Sequence, residues 1–387
     1  MKPSNLVLTL SKVVFLFSVF LLTGLSAPHP SYYIDPNNIT MPGKIWIQGD
    51  TLFVNDKFVG VHVFSITNPA APVREKFILI SNNVDIAVLG TTLYADSFGN
   101  LMVYDISDIQ NPVLTKVISN AVTYNYDYFN GVYLDEYGSP LYYSDYSAFG
   151  CMCSGIPDVG AATADTSGSY GVGGSTSRFA IYNNQYLYVL KDGQVIKGFD
   201  LSTPNNPQPI ASSAYIDNSD AETLFPYDHF LFVGASTGVY IYDLQTPAAP
   251  KYVSKMIHVR AWDPVVVQSN IAYVTLQNAD QYPWNRFEII DLNDFTNMTV
   301  LSTTPMSYPQ GLSIRGDYAY ICDSYNGLEI CNVSDPAVVT RFNMSTGFVT
   351  YDAITYNDLL IVTGDLVKIY SLTNTNTVVP EYLSTLH

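Results

Sequence analysis

Short apolar runs rich in β-branched and aromatic side chains alternate along this chain with clusters of Gly, Asn, Asp and Pro. Runs of that kind, bounded by turn residues, predict β-strands, and no helical period appears beyond the first 27 residues. One phrase recurs. Leu93-Tyr94-Ala95-Asp96, a Gly-containing turn, Leu101-Met102-Val103-Tyr104-Asp105-Ile106 and then Asn111-Pro112 make one copy. Leu231-Phe232-Val233, leading to Ile241-Tyr242-Asp243 with Pro247 and Pro250, makes another. With the residue at the Asp105 position as marker, the copies fall at Ser65, Asp105, Asp200, Asp243, Asp291, Asn332 and Ser371, 39 to 48 residues apart except for one interval of 95.

A unit of about 40 residues holds three or four short strands and cannot bury both faces of its sheet alone. Seven such units stacked around an axis give every sheet two neighbours and protect its edges. The chain is therefore expected to be all-β, a seven-bladed β-propeller over residues 41–387, preceded by an extension at 28–40. The same strands allow an open β-solenoid or a sandwich as the alternative. The long interval leaves an insertion of about 55 residues, about Ser119 to Thr176, between the second and third units.

The units resemble LVIVD repeats, the secreted β-propeller repeats of bacterial surface proteins. The likeness is carried by Tyr104-Asp105-Ile106-Ser107-Asp108, by Glu222-Thr223-Leu224-Phe225-Pro226 with Gly238 to Asp243, and by Trp262-Asp263-Pro264-Val265-Val266 with Ala272 to Leu276. The resemblance implies a binding or scaffolding surface, since no activity is common to the family. Members are often lipoproteins whose signal ends in Leu-x-Gly-Cys. Here Leu22-Thr23-Gly24 is followed by Leu25, which has no thiol to acylate. The resemblance also implies a bridge of two cysteines where this chain has Trp262 and Trp284.

Within a blade of antiparallel strands A to D, the loop entering A and the loop from B to C share one end. The large insertion and a second embellishment, Gln277 to Arg286 in blade five, are thus expected on the same face, where propeller loops carry function. The insertion holds nine tyrosines between Tyr124 and Tyr170, six acids and no Lys, Arg or His. Tyrosine rings suit sugar faces and protein interfaces, and they equally serve to pack the insertion onto the blades. Gly171 to Gly174 reads as a flexible return. The starts of the A strands, at Asp85, Arg178, Glu222, Asp263, Gln310 and Asp352, are expected at the mouth of the central funnel on that face. Such a ring suits a cation, a basic peptide or a polyhydroxylated ligand, while Asp also caps turns. Trp262 and Trp284 are expected to touch; otherwise Trp284 stands exposed with Tyr282 as a stacking surface.

Composition narrows the chemistry. With 34 acids against 17 bases and a net charge of −17, the chain is no candidate for reading phosphates, so nucleic acid is set aside as a partner. Lys2, the apolar run from Val13 to Leu25 and the small residues Gly24, Ser26 and Ala27 make residues 1–27 a secretory signal peptide, and Lys12 cuts the run short of a membrane span. The mature chain is then exported, to a periplasmic, cell-surface or extracellular place. Four cysteines form no zinc pattern. Cys151 and Cys153 admit a local or intermolecular disulfide, and Cys322 and Cys331, symmetric about a turn, admit a bridge across strands B and C. His29, His62, His229, His258 and His387 read as surface or turn residues without metal-ligand spacing. Gly234-Ala235-Ser236-Thr237-Gly238 fits G-x-S-x-G but falls in a hairpin, with no strand-to-helix turn. The acidic turns Asp96-Ser97-Phe98-Gly99 and Asp323-Ser324-Tyr325-Asn326-Gly327 read as hairpins rather than calcium loops.

Three functions remain. The first is a non-enzymatic module that binds a glycan or protein through the insertion-bearing face, with no cofactor and no metal. The second is a glycan-active enzyme using two funnel carboxylates. The third is a structural module of a surface assembly.

Overall fold

The computed structural model describes residues 36–122, 132–134, 140–142, 172–211, 213–216, 221–257, 264–277, 285–295, 297–373 and 378–387. The leader at 1–27, Cys151, Cys153, Trp262, Asp263, Tyr282 and Trp284 lie outside the described residues. Among the described residues every regular element is a β-strand. Seven antiparallel blade sheets form in chain order, each with strands in the sequence A-B-C-D, and a separate two-stranded sheet pairs Val132–Leu134 with Pro140–Tyr142 within the insertion. In blade 2 these are Ile86–Leu89, Thr92–Ser97, Asn100–Asp105 and Val113–Ile118. The other blades occupy 42–79, 179–215, 221–257, 265–305, 312–344 and 350–386. The A strands of successive blades touch all the way round, and those of blades 7 and 1 close the ring. The architecture is a seven-bladed β-propeller.

Packing explains why the apolar runs are continuous rather than alternating. Strand B of a blade has a neighbouring blade against each face, so Leu93, Tyr94 and Ala95 are all fully buried. Strand D is the outer edge. There Val113, Leu114 and Val117 are 57%, 44% and 46% exposed, which is why the fourth strand is the least regular part of the unit. In blade 3 strand D is split into Gln208–Pro209 and Ala214–Tyr215, both paired to strand C.

The marker residue that repeats at the end of strand C has a local task. Asp105 Oδ1 accepts the amide of Ser107 at 2.8 Å, and Asp200, Asp243 and Asp291 accept the amide two residues on at 2.7, 2.7 and 2.8 Å. Asn332 and Ser371 do the same at 3.0 and 3.2 Å. A short acceptor side chain is needed there because the chain leaves the ladder and its next amide loses its strand partner.

The Pro-containing C-to-D loop that follows presents a carbonyl to the preceding blade. Tyr94 Oη donates to Pro204 O at 3.0 Å, Tyr188 Oη to Pro247 O at 2.7 Å, Ser302 Oγ to Pro336 O at 2.7 Å and Ser384 Oγ to Pro69 O at 2.6 Å. Burial pushes the Tyr94 and Tyr188 hydroxyls up, so both remain protonated donors. The last of these bonds joins blade 7 to blade 1, so the seam repeats the contact used elsewhere.

Candidate functional site

The chain returning from the insertion runs into the mouth of the channel. Val172–Gly173 adds a fifth strand to the inner edge of blade 1, with Trp46 opposite Gly173 and Ile47 opposite Val172. Gly174 N then donates to Ile45 O at 3.0 Å. A Cβ on Gly173 would sit 2.6 Å from the Trp46 ring, so only glycine lets the strand lie over that indole. The run expected as a flexible return is therefore partly a strand.

Beyond it, each residue is held by a different blade. Lys44 Nζ of blade 1 donates to Thr176 O at 2.7 Å and to its Oγ1 at 2.6 Å. Leu312 N of blade 6 donates to Ser175 Oγ at 3.0 Å, and Leu224 N of blade 4 to Ser177 O at 2.9 Å. Ser177 Oγ and Arg178 N donate to Asp85 Oδ1 and Oδ2 of blade 2 at 2.8 and 2.7 Å. Ser175, Thr176 and Ser177 are buried, at 3%, 1% and 4% exposure. Residues 173–178 thus form a plug across the inner strands of blades 1, 2, 4 and 6.

The plug holds one of the expected funnel carboxylates, and the others lie in surroundings of their own. Asp85 has no exposed surface, and besides the plug its carboxylate takes Ile86 N at 3.0 Å. The Arg178 guanidinium lies 3.6 Å from it. Asp352 is 3% exposed and accepts Ala353 N at 2.8 Å. Gln310, 7% exposed, neighbours it through Gly311, where a Cβ would come within 2.2 Å of Asp352 Oδ1. Glu222 is half-buried, and Asp263 lies outside the described residues. The structure brings Asp85 together with Arg178 and Asp352 with Gln310. Asp85, Gln310 and Asp352 are set in the wall and not in an open mouth.

Two carboxylates that the sequence left as turn residues matter more to this face. Asp96, at the end of strand B, accepts Asn83 Nδ2, Val84 N and Asp85 N on one oxygen at 2.8, 2.7 and 2.8 Å. Asp323, its counterpart in blade 6, accepts Tyr308 N at 2.6 Å and Asn326 Nδ2 at 3.1 Å. Each ties down the segment that enters strand A. Burial pushes Asp96 up to about 6, against the pull of Arg178 and its backbone donors, and burial likewise raises Asp323. The hairpins themselves are present, with Phe98 and Gly99 at φ of 47° and 76°. The repeated Asp-Ser at the same place in two units was the available signal.

Other expectations change. Cys322 pairs in register with Leu328 and Cys331 with Ala319, so the two do not face each other and both are free thiols. Burial raises Cys322 well above its ordinary range and Cys331 to about 12, leaving both protonated and inert. His62 is fully buried and not a surface residue; its Nε2 lies 3.3 Å from Asp56 Oδ2, and its Nδ1 meets Arg74. Among the described residues no group of three or more His, Cys, Asp or Glu is placed to hold a metal, and no helix is long and apolar enough to cross a membrane.

A direct check of the plug is Lys44→Met, which keeps the bulk and removes the donor. It is expected to cost about 1–3 kcal/mol and to speed amide exchange at residues 173–178. Unchanged exchange there would show that Lys44 does not hold the segment.

The LVIVD repeat model matches residues 82–118 and 308–342. These are blades 2 and 6, the two units that carry Asp96 and Asp323 at the B-to-C turn. No curated protein sequence matches the chain. Among solved structures it is similar to a protein from Lactobacillus plantarum, at 12% identity and a TM-score of 0.60, covering 89% of this chain and 96% of that one. It is also similar to a functionally unknown protein from Desulfotomaculum acetoxidans, at 10% identity and 0.54, covering 89% and 95%. BamB from Moraxella catarrhalis matches at 9% identity and 0.52, covering 84% and 82%. At these identities the likeness is one of fold. Two matched LVIVD repeats, set in a ring whose other five blades copy their strand order, make this chain a seven-bladed β-propeller that carries LVIVD repeats.

Proposed function

We propose that the protein is an exported, non-enzymatic binding module that engages a glycan or protein ligand through the face bearing the insertion. The observation that carries this reading is the plug. Hydrogen bonds from four blades fix the root of the insertion, so whatever the Tyr-rich segment contacts is presented from a rigid base, as a preorganised site requires. Closure of the channel mouth also moves the expected contact surface outward, from the funnel wall to the loops around it. On this reading residues 1–27 direct export, Leu25 precludes acylation at the lipobox position, and Tyr282 and Trp284 are further candidate ligand contacts.

The test is a glycan and peptide array probed with the chain from residue 28 and with a form in which residues 123–168 are replaced by a short Gly/Ser linker, keeping the plug. A ligand bound by the first and lost by the second, at unchanged thermal stability, is the expected result. Absence of any ligand on both arrays would defeat the reading.

A further inference from the structure

On the insertion-bearing face, between blades 5 and 6, lies a cleft of about 430 Å³. Its floor is formed by Met306, Asp323 and Glu329, at 5%, 3% and 8% exposure, and its rim by the exposed side chains of Asn326, Arg341 and Asn343. The polar groups are oriented without being used up. Glu329 Oε1 accepts Asn343 Nδ2 at 2.9 Å, and the same amide reaches Asn326 O at 2.9 Å. Arg341 gives one N–H to Pro305 O at 2.6 Å. Among the described residues this leaves the second oxygen of Glu329 and the other guanidinium N–H groups of Arg341 to face the cleft.

The fold does not require this polarity. Blades 2 and 6 are both matched by the same repeat model, and the cross-strand pair that is Glu329 with Asn343 in blade 6 is Met102 with Val117 in blade 2. An apolar pair therefore satisfies the repeat. Burying a carboxylate nine-tenths of the way in its place is unfavourable for stability unless the group has another task.

We infer that the blade 5–6 cleft is a binding subsite for a neutral polyhydroxylated ligand, a mono- or disaccharide unit. The inference rests on the reading of this face as a ligand-binding face and names one place on it. Acceptor and donor groups alternate across a few ångströms, the arrangement that adjacent hydroxyls satisfy because each both donates and accepts. A cation meets Arg341, and an anion meets Glu329 and Asp323, so neither sign is favoured. The volume falls within the range of small-molecule sites, at their lower end.

Saturation-transfer NMR with a panel of neutral sugars, comprising glucose, galactose, mannose, N-acetylglucosamine, maltose and cellobiose, tests it. The variants are Glu329→Met with Asn343→Val, which installs the pair of blade 2, and Glu329→Gln as a gentler change should the double variant fold poorly. At least one sugar is expected to bind the parent chain, with a loss of tenfold or more in the double variant at an equal or higher melting temperature. A sugar that binds the variants as well as the parent would overturn the cleft while leaving the glycan reading of the face intact. If none of the sugars binds, the cleft assignment fails, and the array with the insertion-replaced form then decides the broader reading separately.

Discussion

Replacing Asp96 with alanine is expected to lower stability by about 3–5 kcal/mol, more than any other single polar change on this face. One oxygen of Asp96 satisfies three buried donors, namely Asn83 Nδ2, Val84 N and Asp85 N. Each donor left without an acceptor away from water costs about 1–3 kcal/mol. The loss also propagates: Asn83 Oδ1 accepts Asn55 Nδ2 of blade 1 at 2.6 Å, and Asp85 holds the plug through Ser177 and Arg178. Asp96→Asn separates hydrogen bonding from charge, because the carboxamide keeps an acceptor and cannot ionise. Burial raises the carboxyl to about 6 from an ordinary 3.8. A folded-state value above the unfolded one means that the group's contribution is fully present at low pH and is lost as pH rises through about 6. The asparagine variant is therefore expected to gain on the parent between about pH 4 and pH 7, by at most about 3 kcal/mol. Urea unfolding of both proteins across that interval reads the difference, from which the other carboxylates cancel. Parallel pH profiles would mean that Asp96 is not the titrating group.

The repeat was legible because its signals have local causes. Continuous apolar runs at Leu93-Tyr94-Ala95 report burial on both faces, and the residue at the end of strand C caps an amide two positions on in blade after blade. The channel mouth was not legible in the same way. Counting strand starts placed Asp85 and Asp352 near the axis, but the count says nothing about what else arrives there. The arriving chain is a short stretch of Gly, Ser and Thr that carries no strand signal of its own, and its pairing with Trp46 lies more than a hundred residues away in sequence. Cys322 and Cys331 illustrate the limit of symmetry arguments. The turn between them places Cys322 opposite Leu328, which carries Cys331 past it to Ala319. The cleft escaped for a different reason, since Asp323, Glu329, Arg341 and Asn343 come from a turn and two strands and form no motif in the linear order.

Deleting residues 381–387 is expected to abolish cooperative folding, the largest effect of any change considered. Among the described residues blade 7 is one continuous stretch of chain, blade 1 is continuous but for its inner strand Val172–Gly173, and no strand is exchanged across the junction of blades 7 and 1. That seam has no shared ladder and is closed by the touching inner strands and by side chains. Ile361, Ile369 and Leu386 of blade 7 pack with Ile45, Leu52 and Phe64 of blade 1 in one buried cluster. Around it, Ser384 Oγ donates to Pro69 O at 2.6 Å, Tyr356 Oη accepts Gly49 N at 3.1 Å, and Arg74 reaches the His387 carbonyl. The deleted strand supplies Leu386, the Ser384 bond and the Arg74 contact, together with the ladder from Val367–Leu386 to Ser371–Glu381 that covers strand C. Without it the cluster is open to water on one side, and the ring has a free edge. Ile361→Ala, at a fully buried position in the same cluster, is the graded version and should cost about 2–5 kcal/mol. Ser384→Ala should cost about 1 kcal/mol, no more than Ser302→Ala, which breaks the matching bond between blades 5 and 6. Circular dichroism melts of the four proteins rank these effects. A truncated chain that still melts cooperatively within a few degrees of the parent would show that the inner A strands close the ring by themselves.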